Sequence, residues 1–312
     1  MADTALLLDP VYRKHDPGPG HPEAPARYDA VTRALQSFAK KTVAVARRAA
    51  TEDEVALCHS PRYIETAKQD IASGRDSLST GDTSVTKASW SVALDAVGGV
   101  LNAVDMVMAG RVRRAFCAVR PPGHHATAAR GMGFCVFNNI AVAARYARRK
   151  HNVERVLIAD WDVHHGNGTQ DIFWKDGSVF FFSTHQHPWY PGTGMHNERG
   201  EGKGEGATLN FPFPAGSGRE EILGVFEQEL VSAADRFRPD LVLLSAGFDS
   251  RIGDPLGRFQ LTDGDFRSLT RVMLDIAEKH AGGRLVSLLE GGYSLEGLMA
   301  GVTAHVGELL SA

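Results

Sequence analysis

Between residues 160 and 168 the chain reads D-W-D-V-H-H-G-N-G, which sets Asp160, Asp162 and His164 on alternate positions just before a glycine-rich turn. Oxygen and nitrogen donors without a thiolate suit zinc, iron or manganese. A catalytic metal needs only three protein ligands, which leaves a position for water or substrate. A further carboxylate, Asp249, closes S-A-G-F-D at 245–249. By itself it is a weak signal, because an aspartate at a strand end often caps the next helix. The tandem pair His124-His125 follows R-P-P-G, where two prolines and a glycine fix the backbone and leave the imidazoles little freedom. Imidazole titrates near neutrality, so it can take a proton from an attacking water and return one to a leaving amine. Tyr293 ends E-G-G-Y, whose paired glycines permit unusual backbone angles and let a phenol turn toward a nearby site.

Elements of regular structure must bring these residues together. Short apolar or β-branched runs without alternation predict strands buried on both faces at Ala115–Val119, Val156–Ala159, Val179–Phe182, Leu241–Leu244 and Leu285–Leu289. Helical patterns cover Pro25–Phe38, Val85–Ala109, Asn138–Lys150, Glu220–Phe237, Asp263–His280 and Ser294–Leu310. Strand and helix alternate, which predicts an α/β fold with a mostly parallel sheet and helices on both faces. Such sheets bind ligands beyond the carboxyl ends of their strands. R-P-P-G-H-H, D-W-D-V-H-H-G-N-G, S-A-G-F-D and E-G-G-Y each directly follow one of these strands, so four loops should converge on one rim. No repeat, low-complexity stretch or composition break divides residues 1–312, and a single catalytic domain is expected.

The bulk properties exclude more than they specify. A formal net charge of -3 over 312 residues, with 43% hydrophobic and 23% charged residues, gives no electrostatic reason to expect nucleic acid or an anionic membrane as partner. The basic runs Arg111–Arg114 and Arg145–Lys150 read as solvated helix ends. No apolar run is expected to reach the length of a membrane span. Cys58, Cys117 and Cys135 form no C-x-x-C pair, so neither a disulfide framework nor a thiolate zinc site is indicated. With no secretory signal pattern at Met1-Ala2-Asp3-Thr4, a cytoplasmic protein is the expectation.

In this order, R-P-P-G-H-H, G-M-G-F-C-V-F-N-N, D-W-D-V-H-H-G-N-G-T-Q, S-A-G-F-D and L-E-G-G-Y resemble the histone deacetylase family. The resemblance runs from H-P-E-A-P-A-R at residues 21–27 to the last helix, and the H-H-G-N-G and E-G-G-Y forms look like the class II branch with its bacterial deacetylase-like and acetylpolyamine amidohydrolases. It implies an arginase/deacetylase-like fold with one catalytic zinc ion on Asp162, His164 and Asp249. It assigns the active-site imidazoles to His124 and His125, the carboxylate orienting the first of them to Asp160, and the transition-state phenol to Tyr293. The implied reaction is amide hydrolysis, in which metal and phenol polarise the carbonyl and a histidine relays the proton of the attacking water. Asn167 stands where class I enzymes carry an aspartate beside the second histidine, and this neutral partner should leave His125 with a lower pKa.

For the substrate, the resemblance implies a channel walled by Phe134, preceded by Gly133, and by Tyr190. It also implies a rim aspartate at Asp82, a mouth residue at His21, and a specificity position at Leu256, where polyamine-selective relatives can carry an acidic residue. Structural potassium near Asp160 and Ser183 belongs to the same family pattern. The expected substrate is an acetylated lysine or a small acylated amine. An acetylpolyamine is the alternative, and a two-manganese ureohydrolase or a non-catalytic acyl-lysine binding protein are more distant readings. The oligomeric state stays open.

Overall fold

The computed structural model describes residues 3–311. Its strands are β1 (Thr4–Leu7), β2 (Val43–Ala44), β3 (Arg114–Cys117), β4 (Val156–Asp160), β5 (Val179–Gln186), β6 (Thr208–Phe213), β7 (Leu241–Ala246) and β8 (Leu285–Leu289). They form one sheet in the order β2-β1-β3-β8-β7-β4-β5-β6, and every pairing is parallel. The helices are α1 (Pro25–Leu35), α2 (Glu52–Val55), α3 (Pro61–Ala72), α4 (Ser89–Met108), α5 (Asn139–His151), α6 (Asn167–Phe173), α7 (Arg219–Val225), α8 (Val231–Phe237), α9 (Asp263–Ala281) and α10 (Leu295–Leu309).

Successive strand residues point to opposite faces. Ala115, Ile158, Leu243 and Val286 enter a core shared with α3, α4 and α5, while Phe116, Leu157, Leu244 and Leu285 enter a second core with α1, α9 and α10. Both faces therefore select apolar residues, which is why the central strands show no polar alternation. The expected single α/β domain, its helices on both faces and its five central strands all appear in the structure.

The differences lie at edges and boundaries. β1, β2 and β6 escape the sequence patterns: β2 has only two residues, and β6 carries Pro212, which an edge strand tolerates because one side of its ladder is open. β3 ends at Cys117 rather than Val119, and β4, β5 and β7 run one to four residues further than expected. The segment 220–237 is not one regular helix: α7 and α8 are joined by a π-helical turn at Phe226–Leu230. α4 begins at Ser89 instead of Val85, since the Ser89 hydroxyl accepts the Thr86 amide and turns the chain there. α2, α3 and α6 were not anticipated.

Two bulk expectations need correction. α4 is long and apolar enough to cross a membrane by length and composition, and most of it is buried between sheet and neighbouring helices. Arg114 does not belong to a solvated helix end: it lies buried in β3 and donates to the Leu309 carbonyl. Arg148, Arg149 and Lys150 do fall in the last turn of α5, and all three cysteines are free and buried.

Candidate metal centre and active site

The four loops that were expected to converge leave β3, β8, β7 and β4, which are consecutive neighbours in the sheet. Their carboxyl ends thus deliver side chains from four distant stretches of chain to one place. Asp162 and His164 come from the loop after β4, and Asp249 from the loop after β7. Their ligand atoms lie within 4.8 Å of one another and all three residues are buried. Among the described residues this is the one such group of His, Cys, Asp or Glu.

The second oxygens of the carboxylates are held by main chain. Asp162 Oδ2 accepts the Gly291 amide at 2.8 Å and Asp249 Oδ1 accepts the Val163 amide at 2.9 Å. A Cβ at Gly291 would stand 1.9 Å from Asp249 Oδ2, so the β8 loop can approach the carboxylates only as glycine. Asp249 Oδ2 is buried with no well-aligned hydrogen-bond donor, and His164 Nδ1 lies against it at 3.2 Å, a costly state for a carboxylate oxygen unless that ring is protonated or an ion sits between them. His164 Nδ1 lies 3.0 Å from Asp162 and 3.2 Å from Asp249. Two buried carboxylates around one imidazole nitrogen fit a divalent ion with a preference for mixed nitrogen and oxygen ligands.

Electrostatics without a metal reflect this surplus of negative charge. Burial, and then Asp162, push Asp249 up to about 7. His164 is held up at about 10 against the cost of its own burial, by its contacts with Asp162 and Asp249. The chain keeps protons where a dication would replace them.

The tandem histidines sit at the end of the loop after β3, with ring centres 4.0 Å apart. Their partners differ. His124 Nδ1 meets the Asp160 carboxylate at 2.9 Å, whereas His125 Nδ1 meets Asn167 Oδ1 at 2.8 Å. Burial opposes charge on both rings, but Asp160 and Asp162 raise His124 to about 10. His125 falls well below its ordinary value through burial and the neighbouring His124 and His164. Asn167 is not a cause of this depression: its hydrogen bond acts the other way, raising His125, and burial with His124 and His164 outweighs it. Asp160 is the last residue of β4 and pairs in register with Ser183 of β5, whose hydroxyl contacts His185 Nδ1 at 3.0 Å.

Above the carboxylates opens a cavity of about 270 Å³ lined by Asp82, His125, Gly133, Phe134, His164, Trp189, Tyr190, Leu256 and Tyr293. The channel residues anticipated from sequence all line it except His21, whose ring packs edge-on against Phe134 at 4.6 Å from outside. Phe134 and Tyr293 also meet edge to face at 5.9 Å, and Tyr190 stands edge-on to His125 at 5.1 Å. Gly133 at φ +57° and Phe134 at φ +68° both lie in the left-handed region. A Cβ on Gly133 would meet the His125 ring at 2.3 Å, so glycine is required there twice over.

Sequence reasoning missed the residues that hold these parts in place. Arg27 donates to the Gly292 and Glu290 carbonyls and lies over the Tyr293 ring at 5.0 Å. Glu23 binds both Arg27 and Arg120 in full burial. Asp254 accepts the Tyr293 and Ser294 amides, and Glu290 accepts the amides of Gly123 and His124. Trp189 lines the cavity and donates its indole N–H to the Leu256 carbonyl. Burial holds the Tyr293 phenol well above its ordinary pKa, so it stays a donor. The one available signal was charge inside otherwise apolar loop motifs: Glu23 and Arg27 in H-P-E-A-P-A-R, and Arg120 before two prolines.

Comparison with known proteins agrees with this geometry. A histone deacetylase domain is matched over residues 21–309, and the chain belongs to the histone deacetylase family. It is 40% identical over 99% of its length to histone deacetylase 14, chloroplastic, of Arabidopsis thaliana, covering 78% of that protein. It is 38% identical over 92% of its length to the polyamine deacetylase HDAC10 of Homo sapiens, of which it spans 44%. The crystal structure of the HDA15 HD domain superposes with a TM-score of 0.94 at 35% identity, over 99% of this chain and 89% of that one. Fold and site thus define a metal-dependent deacetylase of the histone deacetylase type, with Asp162, His164 and Asp249 as its metal site.

Proposed function

We propose that the chain hydrolyses the acyl amide of a lysine side chain or a similar small amine, with zinc on Asp162, His164 and Asp249. The observation that carries this reading is the convergence of the metal site, His125 and Tyr293 at one narrow cavity walled by Phe134 and Tyr190. Zinc held there supplies Lewis acidity, polarising an acyl carbonyl and making water more acidic. Tyr293 donates its hydroxyl to the developing oxyanion. His125 lines the cavity while His124 lies behind it, and its depressed pKa leaves it free to accept the proton of the attacking water. The resulting imidazolium returns that proton to the amine as the C–N bond breaks. His124, paired with Asp160, stays charged beside it and stabilises the negative intermediate.

A potassium ion near Asp160 and Ser183 belongs to the same reading, supported by their adjacency across β4 and β5. Leu256 at the cavity wall offers no attraction to a second ammonium, which disfavours a polyamine. The test is turnover by zinc-loaded protein of an acetyl-lysine peptide and an acetylated polyamine side by side, with Tyr293→Phe as control. Loss of amide turnover in the control is expected. Polyamine-only turnover would overturn the reading of Leu256 and keep the chemistry.

A further inference from the structure

Of the nine residues lining the cavity, Asp82 is the one acidic group away from the metal, and it stands exposed at the mouth. Its two oxygens are both engaged, on opposite walls. One accepts the Gly133 amide at 2.7 Å and the other accepts the Tyr190 hydroxyl at 3.0 Å. Gly133 leads into Phe134, so a single carboxylate ties the Phe134 wall to the Tyr190 wall. The Phe134 wall has reason to need a tie, because two consecutive residues hold left-handed backbone there. The Tyr190 end is different: the tyrosine is 36% exposed, and its bond to Asp82 lies at the solvent edge, where it can open.

We propose that the Tyr190–Asp82 hydrogen bond is a clasp across the mouth, and that Tyr190 thereby selects unbranched acylated alkylamines over acylated lysine embedded in a peptide. The inference rests on the deacylase reading above. A thin aliphatic stem passes between the two aromatic walls with the clasp shut. A peptide brings a main chain to the mouth at the point where the stem branches, and its N–H groups compete with the phenol for the Asp82 oxygen. Opening the clasp sacrifices a phenol–carboxylate bond, and that sacrifice falls on the branched substrate alone. Leu256, on the same wall, adds no charge that would favour a cationic substituent.

The probes are N-acetylbutylamine, which is stem alone, and a pentapeptide with acetyl-lysine at its centre, both with the zinc-loaded chain. In Tyr190→Phe, kcat/KM for the peptide should rise about fivefold, the order expected for one hydrogen bond, while kcat/KM for N-acetylbutylamine falls because the wall is no longer tied. The change should sit in KM. Asp82→Asn keeps an acceptor for Gly133 but removes the carboxylate oxygen for which the phenol and the peptide N–H groups compete, so it should lower kcat/KM for N-acetylbutylamine as Tyr190→Phe does, without the gain for the peptide. Adding Tyr190→Phe to Asp82→Asn should then change little. Equal changes in both probes, or additive effects of the two substitutions, would overturn the clasp. A wild type that hydrolyses neither probe would refute the deacylase reading instead. Calorimetric dissociation constants for the same two probes would then decide: a ratio shifted in Tyr190→Phe supports the clasp, and an unshifted ratio rejects it.

Discussion

Two buried ionic clusters sit under the same loop, and they are built with opposite surpluses. Asp162, His164 and Asp249 gather two carboxylates around one imidazole. Glu23, Arg27 and Arg120 gather two guanidiniums around one carboxylate, and the remaining guanidinium donors go to main-chain carbonyls of Tyr12, His15, Glu290 and Gly292. Burial opposes ionisation of Glu23, yet Arg120, His15 and Arg27 hold it well below the usual carboxylate range. The second cluster is complete with protein atoms alone and works as a frame for the β8 loop. The first is left short of positive charge, and that shortage makes it a place for an ion. Buried charge thus says little about function until its partners are counted.

The contrast can be broken at either cluster. Asp249→Asn should cut deacylation about 10³-fold or more, since the several kcal/mol supplied by the metal goes with it. Metal analysis should show a lost ion, while unfolding of the metal-free variant should show no loss of stability because a like-charge neighbour has been removed. Arg27→Met attacks the complete cluster and should destabilise the fold by about 3–5 kcal/mol, as for one partner removed from a buried pair, read by denaturant unfolding. If the two variants behaved alike in stability, the distinction would fail. Tyr293→Phe, one layer above both, should lower kcat by about 10²- to 10³-fold with stability nearly unchanged.

The same contrast has a pH signature. In metal-free protein Asp249 is raised to about 7 and His164 to about 10, so the folded chain holds protons that the unfolded chain releases near pH 4 and 6.5. The stability that these two groups contribute to the metal-free protein should therefore fall as pH rises from about 4 to about 10, read as the difference between wild type and Asp249→Asn, and zinc binding near neutrality should release protons, measured by calorimetry in buffers of different ionisation heat. Glu23 has the opposite sign: its contribution is present above the ordinary glutamate range and is lost only in acid. The smallest effect is expected from Asn167→Asp. It gives His125 a charged partner, raises its pKa, and should move the acid limb of the kcat/KM profile to higher pH; an unmoved limb would argue against His125 as the base.

The sequence announces one of these clusters and hides the other. Asp162, His164, His124 and His125 are legible because they crowd into short motifs directly after strands whose apolar composition is unmistakable. Glu23 and Arg27 stand only four residues apart, a spacing that an exposed pair would share, and Arg120 joins them from 97 residues away through the fold alone, so no local pattern betrays the buried cluster. The same reason explains the strands: β4, β7 and β8 are buried on both faces and carry their own signature, while β2 and β6 are defined by the neighbour they pair with. Tyr190 was legible as a wall, but its bond to Asp82 spans 108 residues and could be seen only in the structure.

The sheet order also bears on how the molecule comes into being. β8, made at Leu285–Leu289 after every other strand of the sheet, fits between β3 and β7 at its centre. During synthesis from the amino terminus, β3 and β7 must wait with open edges until that strand emerges. Gly291, which holds Asp162, emerges just after it. A nascent chain therefore cannot assemble its metal ligands early, and pairing between segments so far apart in sequence favours slow closure and a need for protection from aggregation while the gap is open.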